Sequence, residues 1–223
     1  MFDMRILLAL FVSLSINSYE FKSYEAKFQF QAMGFSFPLN RYFTVEGNEI
    51  NTRVKMNVFF YTYSIDSDFA VDGNSVTSKK TSVKDPFRDE PKKFSLAFDG
   101  KNITSKELGT IAAETEVLEQ LASDAQVRLN AANGVNEYSL SIFDNTKSKV
   151  IKKNYKLTGE EEISTPFGLI NTLVVEATAD EVGPIIYYIA PEFDYLIIQS
   201  QAILKNGEKR ILSLKERPKF LAE

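Results

Sequence analysis

Three consecutive acidic side chains, Glu160, Glu161 and Glu162, are the densest run of ionisable groups in the chain. Paired carboxylates can do general acid–base chemistry when both face one substrate. In an extended segment, however, Glu160 and Glu162 point to one face and Glu161 to the other, so the three cannot converge without a bulge. The run reads as a solvated strand entry. Asp66, Asp68 and Asp72 precede Gly73 in the manner of a calcium loop, but the full liganding run and the terminal bidentate Glu are missing. Thr165-Pro166-Phe167-Gly168 has the chemistry of a turn, since proline presets φ and glycine accepts φ > 0. Ala190-Pro191 reads as a strand end. The chain contains no histidine and no cysteine. Those absences remove Ser-His-Asp and Cys-His catalysis, thiolate nucleophiles, Cys-type zinc sites and disulfides. They also remove acylation at an N-terminal cysteine. The expectation is a protein that is not an enzyme, with no metal and no cofactor.

A length of 223 residues, 44% hydrophobic and 25% charged, suits one globular domain with a sizeable core. The net charge of −4 argues against nucleic acid as a partner, because phosphate recognition needs a basic surface. Lys79, Lys80, Lys84, Arg88, Lys92 and Lys93 cluster, but Asp85, Asp89 and Glu90 interleave with them. That stretch reads as a solvated mixed-charge loop. At the N-terminus, Arg5 precedes an apolar run from Ile6 to Ile16, and Ser18 stands where a cleavage site would. The layout predicts a secretory signal over residues 1–18 and a single mature domain over 19–223. The run is too short to cross a bilayer, which takes roughly 20 apolar residues.

The elements that must position these residues are mostly strands. Ile50, Val54, Met56, Val58 and Phe60 share one face of an alternating run, with Asn51, Arg53, Lys55 and Asn57 on the other. Phe94, Leu96 and Phe98 alternate in the same way. Phe59, Phe60, Tyr61 and Tyr63 fall within one strand-like stretch, which places aromatics on both faces. Turn signals recur at Asp72-Gly73, Asp99-Gly100, Asp144-Asn145 and Asn206-Gly207. One segment breaks the pattern. Between Thr115 and Ala132, Val117, Leu118, Leu121, Ala122, Ala125 and Leu129 recur at helical spacing, followed by Asn133-Gly134 as a stop. Roughly ten strands and one helix predict a strongly curved antiparallel sheet or a lipocalin-like barrel. If the helix covers only part of the concave side, Val54, Met56, Val58 and Phe60 would line an apolar cleft.

Between Gly159 and Leu196 the punctuation is particular: Gly159, Glu161, Thr165, Pro166 and Gly168, then Tyr188, Ala190, Pro191, Asp194, Tyr195 and Leu196. This pattern resembles the C-terminal half of an exported bacterial family catalogued as domain of unknown function 3108. After Leu196 the chain departs from it, with Ile197, Ile198 and Gln199 where the family commonly has Pro-Val and a basic residue. The resemblance implies an exported, periplasmic or outer-envelope protein of β-rich fold, and the missing cysteine means it is not a lipoprotein. Two functions of different class are compatible with these residues. One is the binding of an apolar small molecule or lipid; the other is an interaction module docking on an envelope protein or polysaccharide.

Overall fold

The computed structural model describes residues 19–179, 182–204 and 207–222. The predicted export segment lies outside these residues. Among them, sixteen strands form one sheet. The first eight make a meander: β1 (Tyr24–Ala32), β2 (Phe35–Glu46), β3 (Glu49–Val58), β4 (Tyr61–Asp72), β5 (Ser75–Lys84), β6 (Lys93–Asp99), β7 (Asn102–Ser105) and β8 (Gly109–Ala112). The short β9 (Val117–Leu118) leads into the helix α1 (Gln120–Ala132). A second meander follows: β10 (Glu137–Asp144), β11 (Lys149–Thr165), β12 (Gly168–Ala179), β13 (Val182–Ala190), β14 (Leu196–Ile203) and β15 (Lys209–Leu214), with β16 (Lys219–Phe220) beside β1. The two meanders join where β1 pairs antiparallel with β15, Phe28 opposite Leu214. In space the sheet runs from β8 to β9 and is not closed.

Alternation explains the long strands. β3 buries every second residue, Ile50, Thr52, Val54, Met56 and Val58, and exposes the residues between them. The extra strands beyond the expected ten are mainly short ones, β7, β8, β9 and β16, of two to four residues each. Runs that short leave no periodicity to read. Lys79, Lys80 and Lys84 belong to β5, so the polar connection begins only after Lys84.

The helix is shorter than the apolar spacing predicts. Val117 and Leu118 pair in parallel with Ser141 and Ile142 of β10. Glu119 then caps α1, its carboxylate accepting the Ala122 N–H. Instead of laying one greasy face on the sheet, α1 is buried nearly all round. Leu121, Ala122, Ala125 and Leu129 pack with Tyr24, Phe28, Phe43 and Phe69 of the first meander. Val127 and Ala131 pack with Ile142, Val175, Tyr187 and Ile189 of the second. The alanines let both sheet halves come close, and the helix fills the concave side.

The hairpins alternate between two ends of the molecule. The β1–β2, β3–β4, β5–β6, β10–β11 and β14–β15 connections lie at one end. The β2–β3, β4–β5, β6–β7 and β11–β12 connections, with the Pro191–Phe193 turn, lie at the other.

Candidate functional site

The four residues predicted to line a ligand cleft part company in the structure. Val54, Met56 and Val58 sit in the main core, packed inside the curved sheet around α1. Phe60 does not share their face: β3 ends at Val58, and Phe59-Phe60 forms the two-residue β3–β4 turn. Its side chain is 100% exposed. The aromatic run 59–63 is thus a turn followed by the start of β4, not one strand with two aromatic faces.

The motif residues build a joint. Gly159 (φ 153°) sits where the β11–β12 register shifts after Leu157, a bulge position that suits glycine. Glu160, Glu161 and Glu162 are all exposed, and the Glu161 carbonyl accepts the Thr172 hydroxyl at 2.6 Å. Thr165 and Gly168 pair across Pro166-Phe167, and the Thr165 hydroxyl donates to the Gly168 carbonyl at 2.6 Å. Phe167 meets Phe193 edge-on at 5.9 Å. Tyr188 is buried and lies next to a register slip between β13 and β14. Pro191 opens a single 3₁₀ turn, after which Asp194 and Tyr195 both adopt left-handed backbone, φ 55° and 51°.

Asp194 is a hub. Its carbonyl accepts the Tyr19 hydroxyl at 2.8 Å and the Arg128 Nη2 at 3.0 Å. Its carboxylate accepts the Lys22 backbone N–H at 3.2 Å and stands 3.4 Å from Arg128 Nη2. Arg128 is fully buried, with its guanidinium 4.8 Å from the Phe21 ring centre and 5.1 Å from that of Phe43. Nearer the N-terminus of α1, the Asp124 carboxylate meets buried Arg41 at 3.2 Å. Burial pushes the Glu119 carboxyl up to about 7, against the pull of the Leu121 and Ala122 backbone N–H groups. It raises Asp124 as well, opposed by the charges of Arg41 and Lys153. Glu119 Oε2 and Arg41 Nε and Nη2 have no hydrogen-bond partner among the described residues. These groups belong to the packed interior, and none of them lines either of the clefts found at the surface. The calcium-like acids are also engaged on the surface: Asp66 pairs with Arg53, and Asp68 accepts from Asn51 at 2.7 Å.

Sequence reasoning missed the burial of Arg41, Glu119 and Arg128 and the part-burial of Asp124; it placed Glu119 and Arg128 only as charges at the two ends of the helix. Arg128 carried a signal, since it lies seven residues after Leu121 and therefore on the apolar stripe. A cation there is buried only if a partner waits.

Two surface features remain. The first is a cleft of about 620 Å³ at the seam, where the connection 113–116 spans from β8 to β9. Val76, Leu118, Leu140 and Val150 give it apolar walls, and Ser139, Glu116 and Lys152 give it polar ones. The Thr115 and Ser141 hydroxyls, 2.6 Å apart, tie the connection to β10.

The second is an aromatic end. Met33 (70% exposed) and Phe35 occupy the β1–β2 hairpin, and Phe59 (74%), Phe60 and Tyr61 occupy the β3–β4 hairpin, with Phe87 on the β5–β6 connection beside them. The rings form an exposed group. Phe59 lies 6.1 Å from Phe35 and 5.9 Å from Phe37, and Tyr61 lies 5.9 Å from Phe87. Met33 and Phe59 hold left-handed backbone, φ 50° and 53°. Such tight hairpin positions favour Gly, Asn or Asp, and a bulky residue there costs about 1–2 kcal/mol. Nothing in the type of Phe59 or Phe60 announces this end, since aromatics favour strands.

No family model and no curated protein match the chain. Among solved structures, the chain is similar to a β-barrel-like protein of domain of unknown function 1849 from Brucella abortus. The two are 10% identical with a TM-score of 0.58 over 91% of this chain and 99% of that one. A weaker likeness is to the MucB–MucA complex of Pseudomonas aeruginosa, at 11% identity and TM-score 0.43 over 92% of this chain and 54% of that one. A second structure of MucB, bound to periplasmic MucA, gives 11% identity and TM-score 0.41, covering 89% of this chain and 50% of that one. The chain thus spans about half the length of the MucB chains it resembles. What the first likeness establishes is the architecture: a mainly β, barrel-like protein built on one large curved sheet with a single helix among the described residues.

Proposed function

We propose that this protein is a non-catalytic, exported module of the cell envelope that docks onto another envelope component through its aromatic end. The observation that carries this reading is where the apolar surface goes. The concave side of the sheet is filled by α1, while six large apolar side chains stand exposed on neighbouring hairpins at one end. Contiguous exposure of that kind marks interaction surfaces on soluble proteins. Export rests on the N-terminal layout and on the motif resemblance. Native mass spectrometry of protein isolated from its own compartment tests the docking. A stoichiometric companion that is lost when Phe59 and Phe60 are both replaced by Ser is the expected result. Protein that stays alone and binds no membrane, or a companion indifferent to the change, overturns it. N-terminal sequencing of the same material is expected to begin near Tyr19, and an intact Met1 would refute export.

The seam cleft favours a second reading, a carrier of an apolar small molecule or lipid. At about 620 Å³ and with Val76, Leu118, Leu140 and Val150 on its walls, it has the size and lining of a small-molecule site. An apolar fluorescent probe that saturates one site on folded protein, and loses that site in Leu140→Glu, supports the carrier. A folded protein that takes up no probe removes it.

A further inference from the structure

We propose that the component met by the aromatic end is an anionic lipid surface, into which the hairpin tips insert; this rests on the docking reading above. The end is convex. Its apolar groups project from turn tips instead of lining a groove, so they suit a deformable surface that closes around each ring. Left-handed backbone at both Met33 and Phe59 holds these side chains outward where a polar turn residue would fit more easily. Apolar insertion alone gives weak, reversible attachment, and a stable peripheral contact takes a second, electrostatic contribution.

That contribution is present as a charge gradient along the molecule. Strand ends and connections at the aromatic end carry Lys55, Lys84, Arg88, Lys92, Lys93, Lys106, Lys209 and Arg210. They are tempered by Asp85, Asp89 and Glu90 in the β5–β6 connection, by Glu107 and Asp144, and by Glu208, which pairs with Arg210 at 3.4 Å. The opposite end carries Glu46, Glu49, Glu160, Glu161, Glu162 and Glu192. A chain of net charge −4 whose acids are denser at the far end, and whose aromatic end carries a surplus of basic side chains, presents that end to a negative surface. Tyr61, with an apolar ring and a polar tip, belongs at the headgroup level. The other large apolar side chains that are mostly exposed are fewer and more scattered; Leu169, at the acidic end, is the clearest case.

The absence of tryptophan makes the test clean. Phe60→Trp and, as the opposite-end control, Leu169→Trp each introduce one reporter at an exposed position. The expected result is a blue shift of Phe60→Trp on vesicles of phosphatidylglycerol with phosphatidylcholine, weaker at high salt and weaker still on pure phosphatidylcholine. Leu169→Trp is expected to stay unshifted. In vesicle flotation, Phe59→Ser with Phe60→Ser should reduce partitioning by about tenfold or more, with circular dichroism unchanged because both side chains are already solvent-facing. No flotation of the wild-type chain, flotation indifferent to the double variant, or an equal shift at Leu169→Trp overturns the lipid assignment. A photo-crosslinker at position 60 then separates the two readings. A single crosslinked protein without vesicle binding leaves the docking module standing and the lipid assignment fallen, whereas neither crosslink nor vesicle binding ends both.

Discussion

Arg128 and Asp194 are joined across 66 residues of sequence, and their pairing explains why a short turn motif and a helical cation belong together. Removing one partner leaves the other charged, buried and uncompensated. Asp194→Ala is therefore expected to cost about 3–5 kcal/mol, read as a lower urea midpoint. Arg128→Met should cost less, because a flexible apolar side chain can occupy the space among Phe21, Tyr24 and Phe43 and the Asp194 carboxylate left behind still accepts the Lys22 backbone N–H. Equal midpoints for Asp194→Ala and wild type would sink the account. Glu119 acts through pH. Its carboxyl keeps its proton up to about 7 in the fold, against 4.5 in the open chain. The folded state thus binds more protons through that window, so stability falls as pH rises from 4.5 to about 7 and then levels off. Asp124, also raised by burial, adds a slope of the same sign. Glu119→Gln keeps the cap acceptor and removes the titration. Its denaturation midpoint relative to wild type should rise between about pH 5 and pH 8. A difference that does not change with pH would show that Glu119 stays ionised throughout.

At the scale of elements, hairpins with strong turn chemistry were legible and those built against it were not. Asp72-Gly73, Asp99-Gly100 and Asp144-Asn145 all fall where strands reverse. Thr165-Pro166-Phe167-Gly168 closes β11 onto β12 as its composition indicates. The Phe59-Phe60 turn was read as strand because aromatics favour strands and nothing at those positions announces a reversal. The helix was legible from its period. Its start was not, because Val117 and Leu118 suit a helix stripe and a strand equally, and the partner that decides, β10, lies about two dozen residues further on. Nor could the period show that α1 is enclosed, since one sheet half covers each side and the second set of contacts leaves no repeat of its own. Gly168 gives the prediction belonging to this scale. It holds φ 126° with open space where a Cβ would sit, so the cost of a side chain there is conformational and not steric crowding. Gly168→Val should lower stability by about 1–3 kcal/mol. An unchanged denaturation midpoint would mean that the turn relaxes freely.

Over the whole molecule, the core is shared unevenly between the sheet's middle and its edges. β1 is paired on both sides by β2 and β15 and buries Tyr24, Ala26 and Phe28. β8 is a four-residue edge strand with no buried residue. Amide exchange should accordingly be slowest in β1 to β3, β13 and β14 and fastest in β8, with β7 between them. Protection in β8 equal to that of β1 would indicate that the seam is zipped shut in solution. Of the candidate site, the types of residue were legible but not their assembly. Met33, Phe35, Phe59 and Phe87 are scattered over more than fifty positions of sequence, and only the alternation of hairpins brings them to one end.

The seam carries a consequence for how the chain is wired. Strands at the two edges of the sheet, β8 and β9, are consecutive in sequence, while the pairing of Tyr24 with Phe220 brings residues near opposite ends of the described chain side by side. The fold is a ring of connections that could be opened elsewhere. A permutant linking position 222 back to position 19 and opened within 113–116 would keep every strand pairing and turn the β1–β15 and β1–β16 pairings, now the most distant in sequence, into local ones. The long span then moves to the helix, because the contacts of β9 and α1 with β5, such as Glu119 N–H to the Ser78 hydroxyl and Val76 N–H to Gln126, become the distant ones. A folding rate that differs from the parent's tells which closure is limiting. The permutant would also free α1 from the tether that holds its entry, and its stability relative to the parent would measure how much that four-residue bridge contributes to keeping the helix inside.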